Sequence, residues 1–187
     1  MGPRGRVLLS MLLLSGCSLL PPQPASPQVY DFGPATAGAA PAGAPAALQV
    51  QAPAWLDGAA LLYRLEYGDA ARLASYRDSR WAAAPAALLH EHLRQRLARA
   101  GGPPRALLLR VDVEEFCQVF SAPTRSRAVV RLRATVTDAA SGRVLRQQGF
   151  AQEVETATPD AAGGAHALAR AAADLATQVL DWAAQAA

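Results

Sequence analysis

Lysine is absent from this chain: all 18 basic residues among its 187 are arginine. That excludes an enzyme built on a P-loop lysine or a lysine Schiff base. Charge of either sign is sparse, at 18% of residues against a usual quarter, and the net charge is only +3. A polybasic nucleic-acid binder is therefore excluded as the default. Long apolar runs are scarce too. The leading run, Val7 to Leu14, is interrupted by Ser10 and falls well short of the about 20 residues a membrane-spanning helix needs. Cysteine occurs twice, at Cys17 and Cys117. What is abundant is apolar residues, at 51%, much of it alanine, which buries little area per residue. High apolar content with small net charge argues against a disordered chain, and the length suits one domain.

The leader is legible. Arg4 and Arg6 make a positive n-region, and Val7–Leu14 fits the h-region of an export signal. It ends in Leu14-Ser15-Gly16-Cys17, small residues followed at once by cysteine. This resembles the lipobox of bacterial lipoproteins, in which the thiol takes a diacylglyceryl group before cleavage and the new amine is acylated. The resemblance makes residues 1–16 a signal peptide and Cys17 the lipid-attachment residue. Several acyl chains together anchor stably, where one anchors marginally. Ser18 after the cysteine resembles the class sorted to the outer membrane. Loss of Arg4 and Arg6 with the signal brings the chain close to neutrality. Cys117 is then the one remaining thiol, so no internal disulfide forms; it sits in a strand-like run and reads as a small buried hydrophobe.

Residues 17–27 carry Pro21, Pro22, Pro24 and Pro27, a semi-rigid polyproline tether. Residues 28–187 form one domain. Gln28–Phe32 reads as a short strand stopped by Gly33-Pro34. Residues 35–47 hold only Ala, Gly, Pro and Thr, which predicts a mobile loop. Leu48–Ala52 and Ala60–Glu66 read as strands, and Arg72–Trp81 as a weaker one. A helix is expected from Pro85, with Leu88, Leu89, His92, Leu93, Arg96 and Leu97 on its stripe, ended by Gly101-Gly102-Pro103-Pro104.

The second half alternates more cleanly. Leu107, Leu109, Val111 and Val113 share one strand face, and the adjacent Glu114-Glu115 predicts a bulge. Ala128–Thr137 and Arg143–Val154 alternate again around a turn at Asp138–Gly142. A last helix, Ala165–Ala184, aligns Leu168, Ala172, Leu175, Val179 and Trp182 in one stripe. The expected fold class is α+β: a largely antiparallel sheet with two helices packed on one face.

Catalytic constellations do not emerge. His90 and His92 are two apart, whereas helix-borne metal histidines need a spacing of four. His166 reads as solvated. Gly163-Gly164 reads as a flexible start to the last helix, with Asp160 as a capping residue. Two surfaces remain. Arg125, Arg127, Arg131 and Arg133 form a basic strand face, either presented to headgroups or an acidic partner, or paired with Glu153 and Glu155. Seven of the aromatic residues fall between Tyr30 and Trp81. Among them Trp55, Tyr63, Tyr76 and Trp81 are either core or a partner-facing patch.

A proline tether followed by Tyr30-Asp31-Phe32-Gly33-Pro34, then Trp55-Leu56-Asp57, Leu62-Tyr63-Arg64, Tyr76 and Ser79-Arg80-Trp81 before Pro85, resembles the ABC-type transport auxiliary lipoprotein family, which includes the paraquat-inducible protein C type. The resemblance runs from Cys17 to the last helix and is strongest over Trp55–Leu97. It implies a non-enzymatic protein facing the periplasm from the outer membrane. It implies as partners a periplasmic protein of the mammalian-cell-entry (MCE) class with an ABC permease and ATPase, in a system linked to lipid movement between membranes. It implies no cofactor beyond the diacylglyceryl and N-acyl lipid on Cys17, no metal and no nucleic acid, and it leaves room for a homo-oligomer. An envelope-assembly lipoprotein, such as a lipopolysaccharide-export or secretin helper, is the rival expectation.

Overall fold

The computed structural model describes residues 26–34 and 39–186. The signal peptide, Cys17 and most of the tether lie outside the described residues. Seven strands and two helices follow in chain order: β1 (Gln28–Tyr30), β2 (Pro45–Gln51), β3 (Ala60–Leu65), β4 (Leu73–Trp81), α1 (Pro85–Ala98), β5 (Arg105–Ala122), β6 (Arg125–Asp138), β7 (Val144–Glu155) and α2 (Ala161–Ala184). A short 3-10 turn, Ala54–Leu56, joins β2 to β3.

The spine is β5. Its odd residues Leu107 to Val113 face the helices and are buried. The register with β6 then slips between Val113↔Leu132 and Glu115↔Arg131, so that one residue is inserted. A single inserted residue flips every later side chain. Phe116, Gln118 and Phe120 thereby stay on the helix side, and Cys117 and Val119 turn to the other. The bulge expected at Glu114-Glu115 is the device that keeps one long strand apolar toward the helices.

β5, β6 and β7 form the antiparallel meander expected from their alternation. The other half of the sheet joins differently. β2 and β3 both lie parallel to β5 along one edge, β2 beside its first half and β3 beside Gln118–Phe120. β4 pairs antiparallel with β3, and β1 parallel with β4. The main order is β1-β4-β3-β5-β6-β7. The fold is α+β with a mixed sheet whose longest ladders are antiparallel. Alternation reports which face a strand buries but not the direction of its neighbour, so the parallel joins were not readable from the sequence.

α2 buries Leu168, Ala172, Leu175 and Val179 completely or nearly so, with Trp182 edge-on to Phe150 at 5.6 Å between ring centres. Each large apolar side chain so buried contributes about 1.5–3 kcal/mol. α1 contributes Leu89, His92, Leu93 and Arg96, and Nη1 of Arg96 donates to Thr177 Oγ1 of α2 at 2.5 Å. Both helices therefore cover one face, and the opposite face is open.

The Ala/Gly/Pro stretch differs from expectation at its end. Pro45–Ala47 belong to β2, and Ala40 and Ala44 are buried. The amide of Ala40 donates to the Arg96 carbonyl at 3.0 Å. Side chains that bury little area can also approach closely, and here alanine lets the backbone lie against α1. Residues 35–38 lie outside the described residues.

Candidate functional site

The four aromatic candidates go to three environments. Trp81 is 1% exposed and belongs to the core, edge-on to Phe116 and to Phe32 at 5.5 and 5.7 Å between ring centres. As folded it presents nothing to a partner. Tyr63 and Tyr76 are half-buried neighbours, 4.7 Å between ring centres, and Tyr76 lies near the start of α2. Trp55 alone is exposed, on the 3-10 turn at the sheet edge. Phe32 is the reason Trp81 is sealed. Asp31 accepts a hydrogen bond from the Gly33 amide at 2.8 Å, and Gly33 takes φ +71°, a left-handed turn that suits glycine. That turn sets Phe32 against Trp81, Phe116 and His92.

Tyr76 opens a chain of polar groups that the sequence did not announce. Its hydroxyl donates to Oε1 of Gln118 at 2.9 Å. Nε2 of Gln118, a fully buried residue, donates to Ser126 Oγ at 2.8 Å. Ser126 Oγ meets Thr156 Oγ1 at 2.7 Å, and Thr156 donates back to the Ser126 carbonyl at 3.0 Å. Among the described residues no buried side-chain polar atom lacks a partner, as burial demands. Burial, then Tyr63, then Asp160 push the Tyr76 phenol up to about 12. The one available signal was a glutamine inside the apolar run Phe116–Phe120.

The start of α2 rests on that chain. Asp160 is the N-cap, accepting from the Gly163 amide at 2.8 Å, and this bond with that from Thr158 holds its carboxyl below the usual range. The sequence predicts a flexible helix start at Gly163 and Gly164. Instead they are tight: a Cβ on Gly163 would fall on the Thr158 carbonyl, and one on Gly164 on Oε1 of Gln118. Neither has a positive φ, so the need is for space.

The arginine row lies on the open face. Arg127 reaches Glu153 at 2.9 Å and Glu66 at 3.1 Å. Arg131 reaches Glu115 at 2.8 Å, Arg133 reaches Glu114 at 2.7 Å, and Arg125 reaches Glu155 at 3.7 Å. All four guanidinium groups thus meet carboxylates. Three of those acids (Glu66, Glu114 and Glu115) come from β3's end or β5, not from β7. The face is a lattice of alternating charge. Cys117, Val119 and Val129 are buried within it, flanked in register by Arg127, Glu115 and Arg131.

Isolated reactive groups are subdued. Burial, reinforced by Glu115, pushes the Cys117 thiol up to about 12. His92 is held below its ordinary value by burial and then by Arg96 and Arg99. His166 is exposed and stands edge-on to Tyr30. Among the described residues no cluster of His, Cys, Asp and Glu could hold a metal ion, and no helix is long and apolar enough to cross a membrane. Two of the surface concavities adjoin residues already named. A groove of about 470 Å³ runs between residues 29–34 and α2, past His92, His166 and Arg170. A smaller one of about 340 Å³, with Tyr63, Leu65 and Ala74 in its lining, lies at the β3–β4 turn.

The family model described as "ABC-type transport auxiliary lipoprotein component" matches residues 30–180. The fold is similar to the crystal structure of a Xanthomonas campestris protein matched by the DUF330 family model. That similarity has a TM-score of 0.70 at 17% identity and covers 83% of this chain and 93% of that one. A crystal structure of an uncharacterized protein is similar with a TM-score of 0.60 at 15% identity, covering 83% and 97% of the two chains. No curated protein matches the chain.

Proposed function

The chain belongs to the ABC-type transport auxiliary lipoprotein family, and we propose that it works there as a non-catalytic docking subunit. In this reading Cys17 carries the lipid, and the domain faces the periplasm from the outer membrane. There it meets an MCE-class periplasmic protein whose ABC permease and ATPase drive lipid movement between the membranes. The family match over residues 30–180 carries the reading. The leader ending at Cys17, the proline tether and Ser18 support the anchor and its sorting. The exposed ring of Trp55 supports a partner contact, since tryptophan is enriched in interface cores. The arginine face is the weaker docking surface, because its charges are already matched within the chain.

Two experiments test this. Cys17→Ser is expected to abolish incorporation of labelled fatty acid and to release the protein from membranes; continued labelling refutes the anchor. Cross-linking of the wild-type protein in cells, followed by detergent solubilisation, is expected to capture an MCE-class protein. Capture of an outer-membrane barrel instead would move the protein to envelope assembly.

A further inference from the structure

Leu65 and Tyr67 are among the few large apolar side chains left exposed, at 37% and 49%. They lie together at the β3–β4 turn. The turn is firmly built. Amides of Gly68 and Asp69 both donate to the Leu65 carbonyl, Asp69 accepts from the Ala71 amide, and Arg64 Nη1 donates to the Ala70 carbonyl at 2.6 Å. The Glu66 amide ties the turn to the Phe120 carbonyl at the end of β5, and the Glu66 carboxylate is held by Arg127. Arg72 meets no carboxylate among the described residues. A rigid tip thus presents a tyrosine, a leucine and an unmatched cation, the chemistry that sits at the boundary of headgroups and acyl chains.

The direction of the chain says what this tip faces. β1 runs parallel to β4, with Gln28 opposite Ser79. Followed backwards from Gln28, the strand direction leads along β4 toward Leu73 and the β3–β4 turn. That turn is about 20 Å away at strand spacing. The eleven residue steps from Cys17 to Gln28 span at most about 40 Å, enough to pass the tip without reversing. Val144, also exposed, lies at the opposite end of the sheet, about 40 Å from the tip along β5. A chain leaving Gln28 would have to double back to bring that end to the anchor.

We propose that the β3–β4 tip, through Leu65, Tyr67 and Arg72, rests on the lipid surface to which Cys17 is anchored. The contact orients the sheet end-on to the membrane and carries the β6–β7 hairpin away from it. This rests on the lipid-anchored reading above. The test uses the full lipidated chain in phosphatidylethanolamine–phosphatidylglycerol vesicles, with an environment-sensitive dye on Tyr67→Cys or, separately, on Val144→Cys. Cys17 is consumed by lipid and Cys117 is buried, so each variant carries one reactive thiol. Lipids brominated just below the headgroup are expected to quench the dye at 67 roughly threefold more than at 144, given insertion to about 5–10 Å. Equal quenching at the two sites overturns the tip contact while leaving the anchor intact. A blue shift at 67 without bromolipid quenching means that protein, such as a second copy, covers the tip, and also overturns it. Protein that fails to float with the vesicles overturns the anchor, and the tip contact with it.

Discussion

Oε1 of Gln118 occupies the space that a side chain on Gly164 would need. One residue lies near the C-terminal end of β5 and the other in the first turn of α2, and their approach sets how closely the last helix seats on the sheet. The same carbonyl oxygen accepts the Tyr76 hydroxyl, so it cannot swing aside without breaking that bond.

Replacement of these glycines is therefore expected to destabilise the fold although alanine favours helix. Gly164→Ala should cost about 1–3 kcal/mol by overpacking, partly offset by a helix-propensity gain of about 1 kcal/mol. Gly163→Ala should cost more, because its obstacle is the Thr158 backbone carbonyl and not a side-chain end. Gly149→Ala, with open space around it, is the control. Urea denaturation measures all three. Equal midpoints for Gly163→Ala and Gly149→Ala would contradict the packing described.

Tyr76 predicts an alkaline limit. Its folded value of about 12 lies above the ordinary value of 10.0, so folding favours the neutral phenol. The stabilisation is fully present below pH 10 and is lost as pH rises through 12. Cys117 loses stability over an overlapping range, from pH 9 upward to its raised value of about 12. Tyr76→Phe should flatten the Tyr76 component of the decline while weakening the protein near neutrality, since Gln118 then keeps an unmatched acceptor. Thermal melts of both proteins from pH 8 to 11 check this.

Cys117 should be inert in the native state. Only the thiolate reacts, and at pH 8 almost none exists when the thiol titrates near 12. Iodoacetamide is expected to leave Cys117 unmodified in the folded protein and to alkylate it after denaturation in guanidinium. Mass spectrometry of the Cys117 peptide reads the difference. Labelling at equal rates in both states would show that the open face does not shield it.

Arg127 joins two elements at once, Glu66 beyond β3 and Glu153 on β7. Both carboxylates are about half exposed, so screening keeps each pair small. Arg127→Ala is expected to cost about 1 kcal/mol or less, with the difference shrinking between 0.05 and about 1 M salt as screening shortens. Double-mutant cycles with Glu66→Gln and Glu153→Gln separate the two contacts. A salt-independent loss would assign the effect to the buried arginine stem instead of the charge.

Much of this was local and therefore readable. The alternation of Leu107 to Val113, the bulge at Glu114-Glu115 and the α2 stripe each depend on neighbours within one element. Pairing of the arginine face with Glu153 and Glu155 across the hairpin was one of the two readings open from the sequence, and Arg127 does meet Glu153. Its second partner, Glu66, is 61 residues away and arrives only through the parallel β3–β5 join. Trp81 was a core-or-surface ambiguity because a tryptophan in an alternating strand can face either side. Phe32, carried in by the Gly33 turn, resolved it.

The absence of lysine determined, by itself, which lysine chemistries to exclude, and the leader run ending at Cys17 gave the expectation of an anchor there. They are properties of composition and order, so no folding was needed to read them. The tertiary structure decided the rest: that the arginine row is matched, that Gly163-Gly164 is a close contact, and that Leu65 and Tyr67 stand exposed at the tip toward which β1 points back. Those depend on strand direction and register, which arise when distant segments share hydrogen bonds.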